Sequence, residues 1–226
     1  MEPSKHKLFY YNWIGELTFL AGVVNVCAIL LLELTITHST GNICKAAIAL
    51  ANGEFNAFSE ILFYIILFFI GSTISGYIYH EKKTDITKYD AILPILFGII
   101  MFIAIKTTTD NKAILRIISL GMGIQNGTYI KLKGIMVRTT HMTGYITDAG
   151  FCLGSLLHGN HEDAWKLRFY IISIFAFFLG GFASVLLIKH IDLKTIEVTA
   201  ALYCIHGLYM GYKYFKVKQN EVQADI

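Results

Sequence analysis

Charged residues and prolines are scarce in this 226-residue sequence. Only 15% of the residues are charged and only two are proline, whereas 55% are hydrophobic and 14% are aromatic. Soluble globular domains usually carry about 25% charged residues, and a chain of this size has too little interior to hide so much apolar surface from water. The composition therefore excludes an ordinary soluble domain and predicts a protein of the lipid bilayer.

The motifs of several enzyme and metal-site classes are also absent. The four cysteines are scattered through apolar segments without a CxxC pair, which argues against a structural zinc site or a disulfide framework. There is no P-loop, so an ATP-driven pump is excluded, and there is no HExxH, Gly-x-Ser-x-Gly or Rossmann glycine pattern. The net charge of +3 comes without a basic patch, so no nucleic-acid partner and no cofactor are expected.

Six apolar stretches have roughly the length of about 20 residues that a spanning helix needs. They predict an all-α, polytopic membrane protein. If the amino terminus is cytoplasmic, 13 of the 19 Lys and Arg residues lie on the cytoplasmic side, which is the bias expected of membrane proteins. Both termini are then cytoplasmic. The predicted spans are 13–36, 61–79, 90–106, 113–130, 169–188 and 195–212.

Two further apolar segments, 41–53 and 144–159, are short, and each contains a charged residue. Counting them as spans nearly removes the asymmetry of the positive charges. We therefore predict two short broken or re-entrant helices rather than two additional spans. Each of them follows a His-x-Thr-Gly sequence.

The two halves of the chain carry the same landmarks in the same order, which predicts a first repeat over 1–106 and a second over 107–226. Three crossings in each repeat is an odd number, so the second repeat inserts upside down relative to the first. Inverted repeats are typical of secondary transporters, whose binding sites lie near the midplane at broken helices. The matched landmarks are Gly22 to Asn25 with Gly123 to Asn126, His38 to Gly41 with His141 to Gly144, Phe68 to Gly71 with Phe177 to Gly180, and His80 with His190.

Polar groups around these landmarks are the candidate substrate contacts, because polar side chains inside a membrane are costly. Asn25 and Asn126 either contact a substrate or ion or only form hydrogen bonds between helices. His38 and His141 are either metal ligands or proton carriers, or caps of the short helices, and no metal is assigned. The candidate substrate-binding residues are Asn25, His38, Thr40, Gly41, Asn42, Gln125, Asn126, His141, Thr143 and Gly144.

Lys45 and Asp148 occupy equivalent positions of the repeat, each five residues after its threonine. If the two short segments meet, these opposite charges neutralise each other. Such a pair is expensive to break once it is buried. It is predicted to be a structural lock or a gate.

The combination of Gly22 to Asn25, Thr40-Gly41-Asn42, Gly123 to Asn126 and Thr143-Gly144 resembles the YoaK-like family of bacterial membrane proteins. The resemblance covers nearly the whole chain. Family members typically have Asp at the position of Asn25, and the two histidines also differ from the usual residues. The resemblance implies the bacterial inner membrane and does not supply a function.

These observations favour a small secondary transporter or channel-like permease for a small solute or ion, and not an enzyme. Its partners would be the lipid bilayer and the solute, and a homodimer is compatible with the sequence. The alternatives are a membrane-embedded enzyme that uses His141 and Asp148 and a non-catalytic membrane scaffold. A cavity lined by the polar residues would favour transport, and a sealed interior would favour a scaffold.

Overall fold

A computed structural model describes residues 3–32, 35–81, 86–192 and 194–224. Eight α-helices account for most of these residues, together with one short 3₁₀ turn and one two-stranded hairpin. The helices are α1 (Pro3–Leu32), α2 (Ser39–Ala51), α3 (Phe55–Ile78), α4 (Tyr89–Thr107), α5 (Asn111–Gly127), α6 (Met142–Leu157), α7 (Ala164–Ile191) and α8 (Lys194–Ala224).

The all-α class is confirmed, and each predicted span overlaps one helix. The six spans correspond to α1, α3, α4, α5, α7 and α8, and the short segments correspond to α2 and α6. The ends differ most at α1, which begins at Pro3 rather than at 13, and at α8, which continues well beyond 212, whereas α5 stops at Gly127 rather than at 130. The continuation of α8 contains several Lys and Gln residues, which are good helix formers although they are not apolar.

One element was not predicted from the sequence. Strands β1 (Ile130–Leu132) and β2 (Ile135–Val137) pair antiparallel directly after α5. Lys133 and Gly134 make the turn with φ of 47° and 90°, as a two-residue hairpin turn with two positive φ values requires. Ile130 had been assigned to the end of a span because it is apolar, but it pairs with Val137 in the hairpin.

Within the described residues, four helical segments are long and apolar enough to cross a membrane. Their outward faces carry large exposed apolar side chains, such as Phe69 and Phe178, which suits contact with lipid. Helix α5 falls short with 17 residues, and α8 is more polar. The four segments are Phe9–Leu31, Phe55–Ile78, Tyr89–Thr107 and His161–Ile191.

Three helix pairs pack closely along their lengths, namely α1 with α7, α3 with α5, and α4 with α8. In the first pair the backbones touch at two glycines. A Cβ atom on Gly22 would overlap the carbonyl oxygen of Phe177, and one on Gly180 would overlap that of Phe19. Only glycine allows this approach, because any other residue would place its Cβ atom inside the partner helix.

The other two pairs contain the same kind of contact. In the α3–α5 pair, a Cβ atom on Gly71 would overlap the Leu120 carbonyl oxygen, and one on Gly123 would overlap that of Phe68. In the α4–α8 pair, a Cβ atom on Gly98 would lie 2.5 Å from the Ala200 oxygen. One on Gly207 would lie 2.7 Å from the Ala91 oxygen.

Candidate functional site

A cavity of about 190 Å³ lies among α1, α4, α5 and α8, close to the carboxyl end of α3. Its walls are mostly apolar, and its polar groups come from the residues around the start of α4 and the end of α5. Pockets of this kind, apolar with a few convergent polar groups, are the usual form of small-molecule sites. The polar lining residues are Tyr79, Asp90, Gln125, Thr128 and Tyr203, and the apolar ones include Trp13, Leu93, Phe97, Ile117 and Leu120.

Asp90 is the acidic group of this cavity, and only 4% of its surface is exposed. One carboxylate oxygen accepts a hydrogen bond of 2.7 Å from the Tyr79 hydroxyl. The other accepts bonds from the backbone N–H of Thr87 at 2.7 Å and from its hydroxyl at 3.0 Å. Asp90 stands in the first turn of α4, where unpaired N–H groups favour a negative charge.

Gln125 is held by a second set of hydrogen bonds that joins three helices. Its Nε2 group donates to the Leu17 carbonyl oxygen at 3.0 Å and to the Thr139 hydroxyl at 2.9 Å. Its Oε1 atom accepts from the Tyr203 hydroxyl at 2.6 Å. Because both donors and the acceptor of the amide are engaged, the side chain is fixed at the cavity wall.

A carboxylate–imidazole pair lies next to Asp90. The Nδ1 atom of His206 is 2.9 Å from a carboxylate oxygen of Glu16, and the imidazole is near enough to Asp90 to interact with it electrostatically. The side chain of His206 is 3% exposed, whereas that of Glu16 is 45% exposed. Among the described residues the Nε2 atom of His206 has no hydrogen-bond partner.

Directly beside the cavity, the same four helices are closely packed. Val24 of α1, Met101 of α4, Ile118 of α5 and Ile196 of α8 meet there and leave no room for a water molecule. These four side chains are almost fully buried. These packed side chains therefore close the cavity on that side.

The two matched asparagines form hydrogen bonds to the chain connections that lead into the short helices. The Oδ1 atom of Asn25 accepts from the backbone N–H of Thr37 at 3.3 Å and from its hydroxyl at 2.7 Å. In the same way, Asn126 accepts from the backbone N–H of Thr140 at 3.4 Å. Each bond fixes the chain entering a short helix, and a substrate contact at either asparagine stays a prediction.

Two neighbouring groups strengthen these connections. Asn42 donates to the Thr35 carbonyl oxygen at 2.6 Å and accepts from its hydroxyl at 2.9 Å. Arg138 donates to the carbonyl oxygens of Asn126 at 2.8 Å and Thr128 at 3.2 Å, where α5 ends and the last carbonyl groups lack partners within the helix. Burial lowers the pKa of the Arg138 guanidinium, whose ordinary value is so high that it keeps its charge.

The two His-x-Thr-Gly sequences begin separate helices and are not packed together. Helix α2 packs on α3, and α6 packs on α7. His38 and His141 precede these helices, and each exposed imidazole lies over its own glycine, Gly41 or Gly144. Thr40 and Thr143 are exposed as well. In the described part of the chain, no three His, Cys, Asp or Glu side chains are close enough to hold a metal ion.

The predicted ion pair between Lys45 and Asp148 is not formed. Both side chains are exposed, and neither belongs to the ion pairs found among the described residues. Asp148 lies beside the hydroxyl of Tyr170 instead. The prediction was wrong because α2 and α6 pack on different helices, so their equivalent positions do not meet.

Of the predicted site residues, only Gln125 lines the cavity. Sequence reasoning missed Asp90, Tyr79, Tyr203 and His206, and it gave no role to Glu16. A signal was present, because an ionisable residue in an apolar segment of a membrane protein is a functional candidate. Asp90 was instead treated only as the polar edge of a span.

Comparison with known proteins gives a family and no activity. A family model described as "Protein of unknown function (DUF1275)" matches residues 16–209, which is most of the chain. The match agrees with the resemblance to the YoaK-like family. No curated protein and no solved structure matches the chain significantly.

Proposed function

We propose that this chain, which belongs to the DUF1275 family, is a small secondary transporter or channel-like permease for a small solute. It has six spans in two inverted repeats, lies in the bacterial inner membrane with both termini cytoplasmic, and performs transport rather than catalysis. The observation that carries this proposal is a cavity among four helices that packed side chains close on one side. Alternating access requires this one-sided arrangement.

The helix crossings support the inverted repeat. Gly22 and Gly123 are equivalent positions, and each approaches the carbonyl oxygen of an equivalent phenylalanine, Phe177 or Phe68. Helix α1 is therefore equivalent to α5, and α7 is equivalent to α3. A rotation that exchanges the two repeats places the α1–α7 contact on the α5–α3 contact. It converts the α4–α8 contact into itself, because Gly98 and Gly207 are equivalent as well. A pseudo-twofold axis between α4 and α8 accounts for all three pairs.

The pairing of helices also supports six spans. Helix α5 packs along the candidate span α3, and α8 packs along the candidate span α4. A helix paired along its length with a spanning helix crosses the same membrane. At 1.5 Å per residue, a helix of 17 residues is about 25 Å long, close to the hydrocarbon thickness of about 30 Å. Being largely buried, α5 needs less apolar surface than a helix that faces lipid.

Cysteine labelling distinguishes six spans from four. In a variant without the four native cysteines, single cysteines replace Asn111, at the start of α5, and Lys133, in the hairpin turn. If α5 crosses, we expect impermeant maleimide to label position 111 from outside and position 133 only after the membrane is opened. A cysteine at Asn52 is the control and should behave like position 111. Labelling of 111 and 133 from the same side would contradict six spans.

A bulky side chain in the cavity should stop transport. Ile99 and Ile100 are neighbours on α4 with similar exposure, 44% and 48%, but only Ile100 lines the cavity. We expect Ile100→Trp to reduce solute uptake into proteoliposomes at least tenfold, because the indole fills space that the solute needs. Ile99→Trp should transport at nearly the unmodified rate. Equal uptake by both variants would exclude this cavity as the path.

A further inference from the structure

We propose that the cavity binds a small lipophilic organic cation, an ammonium group attached to an aromatic or branched alkyl body, which competes with a proton for Asp90. As an identification of the transported substrate, this inference rests on the proposed function. As a statement about binding, it depends only on the charge, size and lining of the cavity.

The hydrogen bonds to the Asp90 carboxylate come from neutral groups. Tyr79 and Thr87 provide three hydrogen bonds to its carboxylate, and both are neutral. A carboxylate has about four acceptor positions, so one remains for a ligand. None of the ion pairs among the described residues includes Asp90. A buried carboxylate is costly unless it is protonated or paired with a cation, so a proton and a cationic ligand are alternative occupants.

The surrounding titratable groups do not remove this negative character. The end of α3 contributes Tyr79, α8 contributes Tyr203 and His206, and α1 contributes Glu16. From α5 the cavity receives only neutral polar groups, Gln125 and Thr128. Of these groups only His206 can carry a positive charge, and its Nδ1 atom is paired with Glu16 at 2.9 Å, so it does not form an ion pair with Asp90 among the described residues.

The cavity walls favour an apolar body with a diffuse positive charge over a neutral polar solute. Phe97 and Tyr203 meet edge to face with ring centroids 4.8 Å apart, and Trp13 adds a third aromatic ring. Aromatic faces attract ammonium groups. A neutral polar solute would find few partners, because the donors and the acceptor of Gln125 are already engaged.

The size of the cavity limits the ligand to one ring and a few more atoms. An apolar cavity of about 150 Å³ in another protein accepts benzene, and the present one measures about 190 Å³. Phenyltrimethylammonium has a suitable size. tert-Butylbenzene has the same shape without the charge, because a carbon atom replaces the nitrogen. The two compounds therefore separate recognition of charge from recognition of shape.

The test uses Trp13 as a reporter in the full chain, reconstituted in lipid nanodiscs. Trp165→Phe leaves Trp13 as the one remaining tryptophan, and Trp13 lines the cavity. We expect phenyltrimethylammonium to change its fluorescence saturably, and we expect Asp90→Asn to weaken that binding at least tenfold. Binding of tert-butylbenzene should be the same with and without Asp90→Asn, which also verifies that the variant is folded.

A second measurement follows the proton that the cation displaces, and its first part uses the unmodified chain. If cation and proton compete, binding of phenyltrimethylammonium releases protons into a weakly buffered solution and weakens as the pH is lowered. Glu16→Gln should retain this proton release, whereas Asp90→Asn should abolish it. Undiminished cation binding by Asp90→Asn, or binding by the unmodified site without proton release, would overturn the inference. Binding without uptake into proteoliposomes would instead contradict transport and leave the cation site intact.

Discussion

Replacing Gly22 with alanine is expected to destabilise the protein severely, whereas the same substitution at Gly15 in the same helix is not. A Cβ atom at Gly22 would overlap the backbone carbonyl oxygen of Phe177 in α7, while a Cβ atom at Gly15 would meet nothing within 4 Å. A backbone atom cannot rotate away as a side chain can, so α1 and α7 would have to separate along the contact.

The two substitutions should therefore change the free energy of unfolding in opposite directions. Overpacking a tight contact costs about 1–3 kcal/mol, and separating two backbones places Gly22→Ala at the upper end of that range. Alanine is a better helix former than glycine by up to about 1 kcal/mol, so Gly15→Ala should be neutral or stabilising. Thermal unfolding in detergent, followed by circular dichroism, measures both.

A second matched pair tests the equivalent contact in the other half. In α3, a Cβ atom at Gly71 would overlap the Leu120 carbonyl oxygen, and one at Gly76 would meet nothing within 4 Å. If the two contacts are equivalent, Gly71→Ala should lower the melting temperature about as much as Gly22→Ala, and Gly76→Ala should not lower it. A melting temperature for Gly22→Ala equal to that of Gly15→Ala would show that the α1–α7 contact is not essential.

These glycines explain why the sequence predicts the fold well. The landmarks shared by both halves include Gly22, Gly71, Gly123 and Gly180, and these residues make the close backbone contacts. The shared asparagines fix the chain before each short helix. The matched residues therefore mark helix contacts and chain connections, so a search for matched residues finds the scaffold.

The polar residues of the cavity have no matching residues in the other half, so the comparison of the halves missed the cavity. Counting from the matched glycines, the position equivalent to Asp90 is Thr199, and the position equivalent to Gln125 is Val24. Val24 belongs to the packed side chains that close the cavity on one side, and Thr199 lies among them as well. The polar groups of the cavity therefore stand at positions where the two halves differ. A search for residues that match between the halves does not find them. The contact of His206 with Glu16 joins residues 190 positions apart, and no local spacing indicates such a contact.

The hydrogen bond between Tyr203 and Gln125 should show strong energetic coupling. Gln125→Leu removes the acceptor of the Tyr203 hydroxyl and the partner of the Thr139 hydroxyl, while Tyr203→Phe leaves the Gln125 oxygen unpaired. Each substitution leaves a buried polar group unsatisfied, at a cost of about 1–3 kcal/mol. Tyr203 is almost fully buried, and the other neighbour of its hydroxyl is the Met122 sulfur at 3.7 Å, a weak acceptor.

The double variant Gln125→Leu with Tyr203→Phe should lose less stability than the sum of the single variants, by about 1 kcal/mol or more, because it leaves neither group of the pair unsatisfied. Tyr64→Phe is the matched control: Tyr64 is also buried, but its hydroxyl donates to Glu60 at 2.7 Å, a partly exposed carboxylate that water can reach. It should cost less than Tyr203→Phe. All of these variants are compared by thermal unfolding. If the double variant loses as much stability as the two single variants together, Gln125 and Tyr203 contact each other without depending on each other. The polar end of the cavity would then lack the rigidity that holds its lining residues in place around a ligand.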